Sequence, residues 1–169
     1  MAAGRDHDRA TVMAALPLAL VLSVSVGPKH GLSAVLAFLV GGLWLSPDLD
    51  THCRALRRWG PLRWIWWPYR RLIPHRSLWS HGPVLGTLSR LLWLALWTAL
   101  AVTLIPGITL TEVHQALETW WQRHPSLVLA VLLGLDASCW LHLILDGDPL
   151  PAEWHRWRRH RHRHRQRQR

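Results

Sequence analysis

Histidines and aspartates recur in this sequence at spacings that suit metal binding. His142 and Asp146 are four residues apart, which on a helix places an imidazole and a carboxylate on one face, one turn apart. Asp48 and Asp50 follow Pro47, where a helix is expected to end, so their carboxylates are expected to point apart. One would then bind a metal ion while the other orients a ligand imidazole. Taken alone, this pair also suits a helix end followed by solvated acids.

Two further histidines, His75 and His81, are six residues apart. This spacing does not share a helical face, so both imidazoles reach one ion only if the chain turns between them. Pro74 and the Gly-Pro pair that follows His81 permit such a break. Ser77 and Ser80 lie in the same segment without a nucleophile signature, and helix-capping hydroxyls are the favoured interpretation.

Histidine and aspartate without paired thiolates predict zinc as the metal, with manganese and iron as alternatives. A site of this kind leaves a position for water, which the ion would acidify while polarising a phosphoryl or acyl oxygen. Arg70, Arg71 and Arg76 are candidates to hold an anionic substrate. The pattern assigns no catalytic residue. Cys53 and Cys139 are not expected to form a disulfide, and a reducing compartment is expected.

Four apolar runs must position these residues: Ala10–Val26, Gly31–Pro47, Pro83–Pro106 and Ser126–Leu145. With a few flanking residues, each reaches the roughly 20 residues that span hydrocarbon. The fold class predicted is therefore all-α, a polytopic membrane bundle with four transmembrane helices, and a soluble all-α protein is the alternative. Asp136 lies within the fourth run, and a carboxylate inside a membrane span is a candidate functional residue. A structural ion pair between Asp136 and Arg90 explains it equally well.

The remaining segments are a basic connector, a loop with little net charge and a C-terminal tail. Residues 49–82 are rich in Arg and Trp, which suits membrane headgroups, and the later loop contains a predicted amphipathic helix, Leu110–Trp121. Residues 1–150 are expected to form one metal-binding membrane domain, and residues 151–169 a disordered Arg/His-rich tail. The arginines of this tail oppose cation binding, so it is expected to attract an anionic partner.

Charge differs between the two sides that four spans would create. Residues 48–83 and 146–169 each carry +5, whereas the loops on the other side sum to zero. By the positive-inside rule, both termini and the connector are expected to be cytoplasmic. The candidate metal ligands all fall on this same side, at the ends of the four runs: His7, Asp48, Asp50, His75, His81, His142 and Asp146.

Five motifs of this chain also carry a family resemblance. They are GRDHD at 4–8, SPDLD at 46–50, WGPLRW at 59–64, HRSLWSHGP at 75–83 and H-x-x-x-D at 142–146. Together they resemble small bacterial membrane proteins described as metal-binding, which are related to LexA-regulated inner-membrane metal-dependent hydrolases. The resemblance extends to about Pro149 and implies a metal-binding protein of the bacterial inner membrane. The same family also resembles, more distantly, helical zinc-dependent phospholipases and nucleases.

Two functions follow as alternatives. The first is a metal-dependent hydrolase at the cytoplasmic membrane face, acting on a phosphoester or lipid-like substrate. The second is a non-catalytic membrane anchor whose basic segments recruit anionic lipid, nucleic acid or an acidic protein. A transporter is less well supported, because the candidate ligands lie at helix ends rather than at the membrane midplane. Membrane lipids are expected partners in every case.

Overall fold

A computed structural model describes residues 4–147, which form helices and, within that range, no strand. The four long helices are α1 (Gly4–Val26), α2 (Pro28–Leu43), α6 (Leu85–Val102) and α8 (Pro125–Leu145). The shorter ones are α3 (Arg54–Arg58), α4 (Trp66–Leu72), α5 (Leu78–His81) and α7 (Leu110–Arg123), with 3-10 helices at Pro47–Asp50 and Gly60–Ile65. The all-α prediction is confirmed for this part of the chain. The predicted tail, 151–169, lies outside the described residues.

Four segments are long and apolar enough to cross a membrane, by length and composition: Gly4–Val26, Pro28–Asp50, Leu85–Val102 and Pro125–Leu145. They correspond to the four predicted runs with shifted ends. The first helix begins at Gly4 rather than Ala10, so His7 lies within its first turns instead of preceding it. The second begins at Pro28, whose fixed φ suits a first helical turn, after Gly27 with a φ of 87°.

Helix α2 packs between α1 and α8, and its contact with α8 is unusually close. A Cβ atom on Gly134 would overlap the backbone oxygen of Ala34, and one on Gly41 would overlap the Ser138 hydroxyl. Small residues let helix backbones approach in this way, which is typical of membrane helices. The close approach brings the end of α2 beside the end of α8, where two of the candidate ligand segments begin.

The connector between α2 and α6 folds into a compact layer with its own core. Trp66 and Tyr69 are almost completely buried and contact each other edge to face, with ring centroids 5.5 Å apart. Asp8 of α1 binds two arginines at the start of this layer. It accepts hydrogen bonds from Arg54 at 2.7 Å and from Arg58 at 2.6 and 3.0 Å. The connector is therefore fixed to the bundle at the end where the ligand residues lie.

Helix α7 is the predicted amphipathic helix, extended by two residues, and none of its side chains is buried. A capping box begins it. Thr109 Oγ1 accepts a hydrogen bond from Glu112 N at 3.2 Å, and the Glu112 carboxylate accepts one from Thr109 N at 2.8 Å. The hydrogen bonds that Thr109 donates to the Glu112 carboxylate, from its N–H and its hydroxyl, hold the pKa of Glu112 below its usual value.

Candidate metal centre

The segment before α6 turns as the sequence requires and brings two imidazoles together. The ring centroids of His75 and His81 are 5.0 Å apart, because the chain turns after Pro74 before α5 begins. Ser77 caps α5 by accepting a hydrogen bond from Ser80 N at 3.3 Å. Arg76, in the turn, has a φ of 59°, a left-handed conformation that non-glycine residues rarely adopt and that is concentrated at functional sites.

Asp48 belongs to the short 3-10 helix that follows α2. Ser46 caps this helix, accepting a hydrogen bond from Asp48 N at 3.4 Å. Asp48 Oδ1 lies 3.4 Å from Nε2 of His81 and 3.6 Å from Nε2 of His142. The carboxylate thus faces one imidazole from α5 and one from α8.

Asp50 reaches the outer nitrogens of the imidazoles instead. His75 Nδ1 donates a hydrogen bond to Asp50 Oδ1 at 2.9 Å, and Asp50 Oδ2 lies 3.6 Å from Nδ1 of His81. The Asp50 carboxylate has no solvent exposure. A hydrogen bond at Nδ1 directs the opposite nitrogen, Nε2, towards a ligand position. The two carboxylates therefore point apart, as their place at a helix end predicts, and they lie at opposite nitrogens of the His81 ring.

Helices α1 and α8 supply the other half of the cluster. The rings of His7 and His142 stack with their centroids 4.1 Å apart. Asp146 lies against both imidazoles, with Oδ1 3.2 Å from His7 Nε2 and Oδ2 3.6 Å from His142 Nε2. The spacing of four residues between His142 and Asp146 thus places the pair side by side, as a helix requires.

All seven predicted residues lie in this one cluster, in two groups that meet at Asp48. The ligand atoms of each group lie within 4.8 Å of one another, and the groups are His7, His142 and Asp146, and Asp48, His75 and His81. Asp50 adjoins the second group through His75 and His81. His75, with a side chain that is 42% exposed, lies at the rim. That each of these side chains binds metal stays a prediction.

The cluster leaves several buried polar atoms without hydrogen-bond partners: His7 Nδ1, Asp50 Oδ2, His81 Nε2 and His142 Nε2. Unpartnered buried polar atoms are costly and rare in folded proteins. The separations of 3.4 and 3.6 Å between Asp48 Oδ1 and the two Nε2 atoms are long for hydrogen bonds. They are close to the separation of about 3.3–3.4 Å between neighbouring ligands of a tetrahedral ion with bonds of 2.0–2.1 Å. These residues therefore fit a divalent metal.

Supporting residues outside the predicted set hold the imidazoles. Ser80 Oγ lies 2.9 Å from His81 Nδ1, and Arg90 donates a hydrogen bond of 2.7 Å to the Ser80 carbonyl oxygen. Ser46 Oγ lies 3.5 Å from His142 Nδ1. Ser80 is next to His81 in the sequence, so its supporting role could have been predicted. No spacing in the sequence indicates such a role for Ser46 or Arg90.

Asp136 supports the start of α6 rather than the metal cluster. Its carboxylate accepts hydrogen bonds from Val84 N at 2.7 Å and from the Thr87 hydroxyl at 3.0 Å. Arg90 also donates to the Thr87 hydroxyl, at 3.3 Å. Thr87 thus lies between Asp136 and Arg90 and hydrogen-bonds to both. The sequence had suggested a direct ion pair between these two residues, or a functional role for the Asp136 carboxylate.

The three candidate arginines for an anionic substrate occupy different places. Arg76 Nη2 lies 3.7 Å from Asp146 Oδ2, at the edge of the cluster. Arg71 stacks on the ring of Trp67 at 4.0 Å, and Arg70 lines a separate cavity. Cys53 is a free thiol whose pKa is raised by burial.

Comparison with known proteins gives a family. The sequence profile of the family described as "Uncharacterized metal-binding protein (DUF2227)" matches residues 2–158. An uncharacterized protein of Aquifex aeolicus (strain VF5) is 40% identical over 60 residues, which cover 35% of this chain and 42% of the relative. The shared stretch is thus under half of the relative's length. No solved structure matches the chain. Because the profile covers nearly the whole sequence, the chain belongs to this family of uncharacterized metal-binding proteins.

Proposed function

We propose that this protein is a metal-dependent hydrolase of the bacterial inner membrane, acting at the cytoplasmic face on a phosphoester or lipid-like substrate. The observation that carries the proposal is the cluster of seven histidines and aspartates, in which several buried ligand atoms have no hydrogen-bond partner. Family membership supports metal binding. The relation to LexA-regulated hydrolases, which only the motifs suggest, belongs to this proposal.

In the proposed centre, each group of three residues holds one divalent ion. Zinc suits the mixed imidazole and carboxylate ligands, with manganese and iron as alternatives. Asp48 Oδ1 faces Nε2 of both His81 and His142, so its carboxylate would be available to an ion held by either group. Asp50 acts as a positioning residue, because its hydrogen bond to His75 Nδ1 fixes that ring.

When bound, the ions supply Lewis acidity that polarises a phosphoryl oxygen and lowers the pKa of a water molecule. Arg76, beside Asp146 and 28% exposed, is placed to bind the anionic group of a substrate. The imidazoles of His7, His81 and His142 are buried and form one wall of the site. His75, at the exposed rim, marks the side from which a substrate enters.

The outer faces of the long helices support the membrane part of the proposal. Leu16, Leu20 and Val24 of α1 are 79%, 70% and 81% exposed, and α2, α6 and α8 present similar apolar residues outward. Soluble proteins rarely expose apolar surface of this extent, so lipid is the natural solvent for these faces. The charge of +5 on each cytoplasmic segment, against zero opposite, supports the orientation.

Elemental analysis and hydrolysis assays test the proposal together. The protein is purified in detergent after truncation at Glu153, because the histidines of the tail would bind metal adventitiously. We expect about two equivalents of metal per chain, as in known two-metal hydrolytic sites, and chelator-sensitive cleavage of bis(p-nitrophenyl) phosphate or a short-chain phospholipid. Absence of stoichiometric metal would refute the metal centre.

The second candidate function is the non-catalytic membrane anchor, and the basic connector favours it. Its seven arginines between Arg54 and Arg76 suit an anionic surface whether or not the protein is an enzyme. Stoichiometric metal without turnover of any phosphoester, together with binding to anionic vesicles, would support this function over hydrolysis.

A further inference from the structure

A cavity lies in the connector layer, apart from the metal cluster. It has a volume of about 810 Å³, within the range of small-molecule sites. Three arginines and three tryptophans of α3, the second 3-10 helix, α4 and α6 contribute to its lining: Arg57, Arg63, Arg70, Trp64, Trp67 and Trp97. None of the seven proposed metal ligands lines it.

The charge in this cavity is not neutralised by the protein. Three arginines contribute to the lining, which contains no aspartate or glutamate. Among the described residues, no carboxylate forms an ion pair with any of the three, whereas Arg54 and Arg58 both pair with Asp8. Arg70 Nε is buried with no acceptor. A positively charged cavity with an unpartnered donor is completed by an anion.

The other walls are aromatic and fit an amphiphile better than a free ion. Trp64 and Trp97 contact edge to face at 4.8 Å, and Trp64 and Trp67 are 56% and 53% exposed. Half-exposed indoles beside arginines are typical of the level of lipid headgroups, where guanidinium groups bind phosphate. In the proposed orientation, this layer lies at the cytoplasmic headgroups.

We propose that this arginine cavity binds the phosphate group of a membrane phospholipid, with the apolar part of the lipid against the tryptophans. Arginine guanidinium groups bind phosphate with charge-assisted hydrogen bonds. The uncompensated positive charge of the cavity also repels the cation of a zwitterionic headgroup, so an anionic lipid is favoured. The site goes beyond the proposed hydrolase function, because it shares no residue with the metal centre and needs no turnover. This site would bind one lipid specifically, whereas the basic connector as a whole would attract anionic membranes without specificity.

Lipid titration of the detergent-purified protein, followed by native mass spectrometry, tests the site. The probes are short-chain phosphatidylglycerol, short-chain phosphatidylcholine and inorganic phosphate. The variants are Arg63→Gln alone, at an exposed position, and Arg63→Gln with Arg70→Gln. The matched control, Arg5→Gln with Arg9→Gln, removes equal charge from exposed positions on the same side of the molecule. Metal content is measured on each sample.

The wild type and the control should bind phosphatidylglycerol most tightly, and the double cavity variant should bind it about tenfold or more weakly. Arg63→Gln should fall between them, with metal content unchanged throughout. Equal lipid affinity in the cavity variants and the control would overturn the proposal. Inorganic phosphate binding as tightly as the lipid would also overturn it, showing a site for free phosphate. Neither outcome depends on metal or hydrolysis, so failure here is distinct from failure of the proposed function.

Discussion

Two carboxylates of one short motif occupy different positions relative to the imidazoles. Asp48 faces the Nε2 atoms of His81 and His142, which have no hydrogen-bond partner. Asp50 instead accepts a hydrogen bond from His75 at Nδ1. In the proposed centre, the first position suits direct binding of a metal, and the second suits orientation of a ligand imidazole.

Substitution of these two aspartates should therefore have different effects. We expect Asp48→Asn to remove most of the bound metal, because its oxygen serves both groups. Asp50→Asn should retain metal but weaken its affinity by about 10- to 100-fold, as is typical for residues that orient a ligand. Competition against a chelator of known affinity measures both. Equal losses in the two variants would contradict the assignment.

The histidines permit a second prediction at this scale. His75→Ala and His142→Ala each remove a ligand from a different group, so each should lower the metal content of the truncated protein by about one equivalent. His114→Ala and His124→Ala are the controls, because these residues lie at α7, away from the cluster. Elemental analysis gives the result. Full metal retention in both His75→Ala and His142→Ala would rule out the site.

At the scale of elements, the ligands are held in register by close helix packing. Gly134 on α8 lies directly against the backbone of Ala34 on α2, with no room for a Cβ atom. The end of α2 leads to Asp48, and the end of α8 carries His142 and Asp146. The distance between these ligands therefore depends on a contact deeper in the bundle.

Widening that contact should disturb the metal centre from a distance. Gly134→Val forces α2 and α8 apart, and overpacking of this kind typically costs about 1–3 kcal/mol. We expect a lower thermal unfolding temperature in detergent and weaker metal binding. Ala95→Val, at an exposed position of α6, is the matched control and should change neither. An unchanged unfolding temperature in Gly134→Val would show that the close contact is not required.

At the scale of the whole molecule, the connector layer joins α2 to α6, and α7 lies between α6 and α8 at the other end of α6. The connector is basic and rich in arginine, whereas α7 carries Glu112 and Glu118 against Arg123. By the positive-inside rule, we expect this asymmetry to orient the bundle in a membrane with the connector on the cytoplasmic side. In the proposed orientation, the ligand cluster faces the cytoplasm.

Cysteine labelling on intact cells tests this orientation. In a background of Cys53→Ser and Cys139→Ala, Leu62→Cys reports on the connector and Leu117→Cys on α7, both at exposed positions. We expect a membrane-impermeant maleimide to label only Leu117→Cys, and Leu62→Cys to react after permeabilisation. The opposite pattern would invert the topology.

The sequence by itself determined the local features of this protein. The apolar runs predicted the four long helices, since a helix of about 20 apolar residues needs no partner to be recognised. The i, i+4 spacing placed His142 beside Asp146, because helical periodicity fixes that relation. The break between His75 and His81 followed from proline and glycine, which act on the local backbone. Helix ends were less accurate, as α1 shows by beginning at Gly4.

Only the tertiary structure decided which atoms of these residues meet. Asp48 faces His81 and His142, whereas Asp50 contacts His75 and His81, and these contacts depend on segments that are distant in sequence. The support that Arg90 gives to Ser80 likewise depends on how α6 packs against α5. The connector, expected only to lie at the headgroups, forms a buried core and an arginine cavity. Such contacts arise from packing between distant segments, and neither local spacing nor composition specifies them.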